Sequence, residues 1–128
     1  MVVAGLVLAG LAALFHVYIF WMESIAWTSP RVRATFGTTP ESAEATREMA
    51  FNQGFYNLFL AVLVVVGLVA HVTGAPTVGA ALVLAGAGSM AAAALVLLVT
   101  SPDKRRAAII QGTLPVLGIL ALVIGLVA

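Results

Sequence analysis

Four apolar runs, each about the length of a bilayer crossing, leave this chain few folds to choose from. They cover roughly residues 2–22, 51–71, 76–100 and 107–128. An α-helix needs ~20 such residues to traverse hydrocarbon. No water reaches the backbone there, so each run must satisfy its own N–H and C=O groups and coil into a helix. Composition agrees: 62% of the 128 residues are hydrophobic and only 9% are charged, against about 25% charged in a soluble domain. So small a soluble core cannot hide that excess. The expectation is an all-α, four-helix transmembrane bundle, residues 1–128 forming one integral membrane domain. The first run lacks a basic start and exceeds the ~7–15 residues of a signal-peptide core, so it reads as a span.

The connections are unequal. Residues 28–48 form a long polar loop, 71–76 a tight uncharged turn, and 101–106 a short basic one. All six cations, Arg31, Arg33, Arg47, Lys104, Arg105 and Arg106, fall in the first and third connections. The positive-inside rule predicts that these two face the cytoplasm and that both termini lie outside. Thr39-Pro40-Glu41 reads as an N-cap, an N1 proline and an early acid, so the second helix is expected to begin near residue 40. Pro115 lies inside the fourth run and is expected to kink it, freeing the carbonyl of Gln111.

Few polar residues enter the spans, and their depths agree. Glu23 and Asn52 lie near the cytoplasmic ends of their spans. His16 is ~10 Å deeper than Glu23, Asn57 ~8 Å deeper than Asn52 and Gln111 ~12 Å past Asp103, so His16, Asn57 and Gln111 reach a similar level. Helices 1, 2 and 4 are therefore expected to pool these groups in one polar recess in the cytoplasmic half. Asn52, Gln53, Tyr56, Asn57 and Gln111 would bind the head of an amphipathic molecule, and Arg47 and Arg105 would attract an anionic group. Glu23 and His16 are candidates to move a proton, with Tyr56 donating to a developing anion. The competing structural readings are ordinary. Amides join membrane helices, an interfacial acid is solvated or ion-paired, and a buried histidine donates to a carbonyl one turn back. His71 and the tryptophans read as interfacial side chains.

Several chemistries find no support. The chain has no cysteine, which removes disulfides and thiolate ligands. His16 and Glu23 alone are too few for a metal site, so no metal is expected. No phosphate-binding loop or nucleophile elbow is present, and a net charge of +1 suggests no nucleic acid. Thr77, Ala81, Ala85, Ser89 and Ala93 recur every four residues on the third run, a small-residue stripe suited to close packing within the bundle or between subunits.

At Asn52-Gln-Gly-Phe-Tyr-Asn-Leu-Phe-Leu60 and Gln111-Gly-Thr-Leu-Pro115 the chain resembles the domain-of-unknown-function 1304 family of small membrane proteins. His16, Glu23 and Trp27 suit that family's first helix. The resemblance implies four spans and a bacterial inner-membrane home, and it brings no activity. In architecture the chain is also similar to the membrane-associated eicosanoid and glutathione metabolism superfamily. Arg47, Asn52 and Tyr56 follow that superfamily's order on the second helix. Phe55 stands where an acid is expected there, and Gly86 to Ala94 lacks the expected arginine. That likeness implies a homotrimer with sites between subunits and, through its chemistry, a low-molecular-weight thiol; no cofactor is expected from the residues themselves. The functional expectation is a site for an amphipathic small molecule or lipid. The alternative is a non-catalytic accessory subunit of a larger membrane complex.

Overall fold

The computed structural model describes all 128 residues. It is helical throughout, without strands. α1 covers Val2–Phe20 and continues into a π-helical turn, Trp21–Ile25. Two short helices follow, α2 (Pro30–Phe36) and α3 (Pro40–Ala45), then three long ones: α4 (Arg47–Val72), α5 (Pro76–Thr100) and α6 (Arg105–Val127). Four segments are long and apolar enough to cross a membrane: Val2–Ile25, Arg47–Val72, Pro76–Thr100 and Pro102–Val127.

The boundaries follow from local chemistry. Ser29 caps α2 by accepting from the Val32 N–H at 3.4 Å, and Pro30 occupies the first helical position, where no N–H is missed. Gly37, at φ 67°, ends α2 in the left-handed region. Thr39 and Pro40 repeat the device for α3, Thr39 accepting from the Ser42 N–H at 3.2 Å. The helix expected to run unbroken from residue 40 is interrupted. Thr46 sits at φ −104°, ψ 5°, and its hydroxyl donates to the Ser42 carbonyl at 2.7 Å, so α3 and α4 are separate helices. α6 runs through the buried Pro115 as one helix.

The long helices form an antiparallel ring in which each packs on its sequence neighbour and α6 closes on α1. The 26–46 and 101–104 connections share one end with all six cations; the 73–75 turn and both termini share the other. The interior is built from small residues, with Ala9, Ala12, Ala13 and Ala61 packed against Val64, Val83, Met90 and Leu122. The exterior is aliphatic, including Val3, Val7, Leu14, Val62, Val69, Leu95, Val96, Val116 and Leu120. That inversion suits lipid, where burying apolar area gains nothing and close backbone contact holds helices together. The α1–α6 seam shows it: a methyl on Gly5 would meet the backbone of Leu122 and one on Gly118 the backbone of Ala9.

Of the two roles open to the small-residue stripe of α5, packing within the bundle is not the one it takes in this chain. Gly79, Ala80, Val83, Gly86, Ala87, Met90 and Ala94 are buried, whereas Thr77, Ala81, Ala85, Ser89 and Ala93 are exposed. Both sets contain small residues; the inward one also carries Val83 and Met90, which fill the core.

A second cluster closes the basic end. Val32 of α2 packs on Ile19 and Met22, with Phe15, Trp27 and Phe36 around them. The indole N–H of Trp27 donates to the Ala43 carbonyl at 3.0 Å and the Thr46 hydroxyl at 3.2 Å. The long connection is thus a folded cap pinned to the end of α1.

Candidate functional site

Glu23 lies in the middle of the π-helical turn. A π turn inserts one residue into the helical ladder, rotates the side chains beyond it, and occurs often at functional sites. Here it turns Glu23 toward α4. The Asn57 amide donates to Glu23 Oε2 at 2.9 Å and to the Gln53 carbonyl at 3.1 Å. Asn57 is only 6% exposed, on the inward stripe with Ala50, Gly54, Ala61 and Val64. A carboxylate accepting an amide N–H is a charge-assisted hydrogen bond, roughly twice as strong as a neutral one.

Gly54 brings the two elements together. A methyl there would collide with the Ser24 hydroxyl and come within 3.1 Å of the Phe20 carbonyl. Ser24 uses the approach, its hydroxyl donating to the Phe51 carbonyl at 2.8 Å.

In front of Glu23 is a cleft of about 560 Å³ between the π turn and the α3–α4 junction. Glu23, Trp27, Glu44, Arg47, Glu48 and Phe51 are among the residues lining it. Arg47 and Glu44 lie 3.5 Å apart across one helical turn, both largely exposed. From the rim an aromatic file runs along α4: Phe51 to Phe55 at 5.0 Å between ring centres, Phe55 to Phe59 at 6.1 Å, and Phe20 against Phe55 at 5.1 Å.

His16 is fully buried. Its Nδ1 donates to the Ala12 carbonyl at 2.9 Å, and its Nε2 has no protein partner. This is the structural arrangement, a histidine bonded one turn back. The close backbone approaches along α1 and α6, from Val2–Gly125 through Gly5–Leu122 to Ala9–Gly118, advance in equal and opposite steps, which places His16 level with Gln111. Gln111 is half-buried.

The single recess expected of the polar residues is not assembled within one chain. Glu23 and Asn57 meet, and Arg47 lines the cleft. Asn52, Gln53 and Tyr56 point outward on α4, Tyr56 at 64% exposure. The physical reason is helical phase. The inward stripe runs through residues 50, 54, 57, 61 and 64. At about 100° per residue Asn52 and Tyr56 lie well off it, while Gln53, one turn before Asn57, lies at its edge and is exposed. Tyr56 therefore does not share a cavity with Glu23, and the proton-transfer arrangement combining them is not formed. Arg105 is exposed at the start of α6 and does not line the cleft. Sequence reasoning missed Ser24, Glu44, Glu48 and the aromatic file. The spacing of Phe51, Phe55 and Phe59, four and eight residues apart, was the available signal. No grouping of three or more histidines, cysteines or acids suited to a metal is present.

These features define a four-helix, multi-pass membrane protein with a polar cleft at its basic end. The model of the protein family of unknown function DUF1304 matches residues 10–123, and the chain belongs to that family. No curated protein and no solved structure matches it.

Proposed function

We propose that this protein binds an amphipathic small molecule or lipid in the cleft before Glu23, with the head group in the cleft and the tail along Phe51, Phe55 and Phe59. One observation carries the reading: a partly buried carboxylate, fixed by Asn57, faces a cleft of about 560 Å³ whose rim leads straight into an aromatic file. That volume is in the usual range of small-molecule sites, about 300–1,000 Å³. The file spans eight residues, ~12 Å of helix, enough for the first part of an alkyl chain. The distribution of cations supports a cytoplasmic position for the cleft, and the family resemblance supports a bacterial inner membrane.

The test is mass spectrometry of small molecules retained by the detergent-purified protein, with Thr28→Trp as comparison. Thr28 is an exposed lining residue, so the indole fills the cleft without touching the core. A retained amphiphile present in the parent and lost in the variant is the expected result. Equal retention by both places any bound molecule elsewhere and ends this reading.

The accessory-subunit reading is favoured by a different observation, the outward stripe of Thr77, Ala81, Ala85, Ser89 and Ala93. Such a stripe admits a close partner helix. Cross-linking from Ala85 in native membranes separates the two: a foreign protein captured at stoichiometric yield supports the accessory role, and lipid alone does not.

A further inference from the structure

We propose that the head group taken by this cleft is cationic, an amine or quaternary ammonium; the inference rests on the amphiphile-binding reading above and specifies its ligand. Three observations lead to it. The lining carries three carboxylates, Glu23, Glu44 and Glu48, against one guanidinium, Arg47. That guanidinium, at the start of α4, already lies 3.5 Å from Glu44 at the end of α3, so an anionic head group would compete for it against that carboxylate. None of the remaining cations, Arg31, Arg33, Lys104, Arg105 and Arg106, lines the cleft. The basic end as a whole would attract anions, yet this cleft is lined mainly by acids.

The second observation is the state of Glu23. Oε2 accepts from Asn57, and Oε1 has no hydrogen-bond partner in the protein. A carboxylate fixed at one oxygen and open at the other accepts an ammonium N–H or sits against a quaternary ammonium without changing rotamer. An ammonium at the open oxygen would hold the carboxyl in its ionised form, which a neutral amide cannot do alone.

The third observation is aromatic. Phe51 lines the cleft and begins the file Phe51–Phe55–Phe59, and Trp27 forms another wall. Ring faces attract cations, most strongly where water is scarce, and the same rings accept a hydrocarbon chain. Positive head and apolar tail are therefore both matched, in the order in which the cleft meets the helix face. An anionic amphiphile would satisfy only the second half of that match.

The experiment uses the full chain in digalactosyldiacylglycerol nanodiscs, whose lipid carries neither charge nor amine. The Trp21→Phe background leaves Trp27, in the cleft wall, as the only tryptophan. Three probes share one alkyl chain: dodecyltrimethylammonium, dodecanol and dodecanoate. The expected result is saturable change of Trp27 emission, with the ammonium bound about tenfold more tightly than either other probe after correction for bilayer partitioning. Glu23→Gln retains an oxygen for Asn57 and should abolish that preference. Glu48→Gln, at the exposed start of α4, removes a lining charge without touching the core and should reduce it by severalfold. Equal binding of all three probes overturns the cationic assignment and leaves amphiphile binding standing. Tighter binding of dodecanoate overturns it in favour of Arg47. No response to any probe removes both this inference and the reading beneath it.

Discussion

Replacing Gly54 by alanine should destabilise this protein, although alanine is the better helix former. Propensity alone favours the substitution by about 1 kcal/mol. The new methyl, however, meets the Ser24 hydroxyl and lies 3.0 Å from the Ser24 nitrogen and 3.1 Å from the Phe20 carbonyl. Turning the hydroxyl aside forfeits its bond to the Phe51 carbonyl, worth about 1 kcal/mol. The backbone contacts remain and force the π turn away from α4, an overpacking cost of about 1–3 kcal/mol. The net expectation is a loss of about 1–3 kcal/mol, the remainder of those opposing terms. Gly88→Ala is the control, because nothing lies within 4 Å of a methyl there; it should match or exceed the parent. Unfolding in a single detergent, followed by circular dichroism, measures all three. Combining Ser24→Ala with Gly54→Ala should recover part of the loss, a coupling that a double-mutant cycle isolates. If Gly54→Ala is as stable as Gly88→Ala, the π turn does not approach α4 as described, and the placement of Glu23 beside Asn57 falls with it.

Three further outcomes are expected. His16→Leu exchanges an imidazole with one bond and one unpartnered nitrogen for an apolar group of similar volume; stability should change by less than about 1 kcal/mol, and a loss above about 2 kcal/mol would show that Nε2 has an essential partner. Trp27→Phe removes both indole bonds to Ala43 and Thr46. Limited proteolysis should then cut faster between residues 28 and 46, and an unchanged rate would mean that other contacts hold the cap. Glu41 is held below the usual carboxylate range by its own backbone N–H and by Thr39. A carboxyl depressed in the folded state stabilises above its unfolded pKa and loses that contribution as the pH falls through its folded value. Order in α3, read by amide exchange, should accordingly weaken on acidification in the parent and respond less in Glu41→Gln.

Much of the fold could be read from the chain because lipid permits so few solutions. Apolar length and turn chemistry locate the four long helices, and Thr39-Pro40-Glu41 marks the start of α3. Counting residues along the helices pairs Glu23 with Asn52 and Asn57 with His16 and Gln111, whereas it is Asn57 that meets Glu23. Depth, however, is a coordinate along the helix axis, whereas a shared cavity also needs the right rotation about it. Asn52 and Tyr56 are close to Asn57 in sequence and still face outward, because neighbouring stripes on a helix differ by one residue in phase. The same ambiguity attends α5, where small residues occur on both faces. Nor does any residue announce a π turn: Trp21–Ile25 reads as ordinary helix, and its extra residue changes what every later side chain faces. The folded cap was hidden for a related reason. Residues 28–48 look polar as a set, yet Val32 packs on Ile19 and Met22, with Phe36 beside them.

The most direct measurement is photo-crosslinking with an alkyl ammonium carrying one photoreactive group near its head and, in a second reagent, one near its tail. Mapped on the parent in nanodiscs, the head reagent should label residues 23–28 and 44–51 and the tail reagent the neighbourhood of Phe55 and Phe59. Labelling concentrated instead in the apolar groove between α5 and α6, along Ala94, Leu98, Ile109 and Gly112, or spread evenly over the lipid-facing helices, would contradict a binding cleft at Glu23.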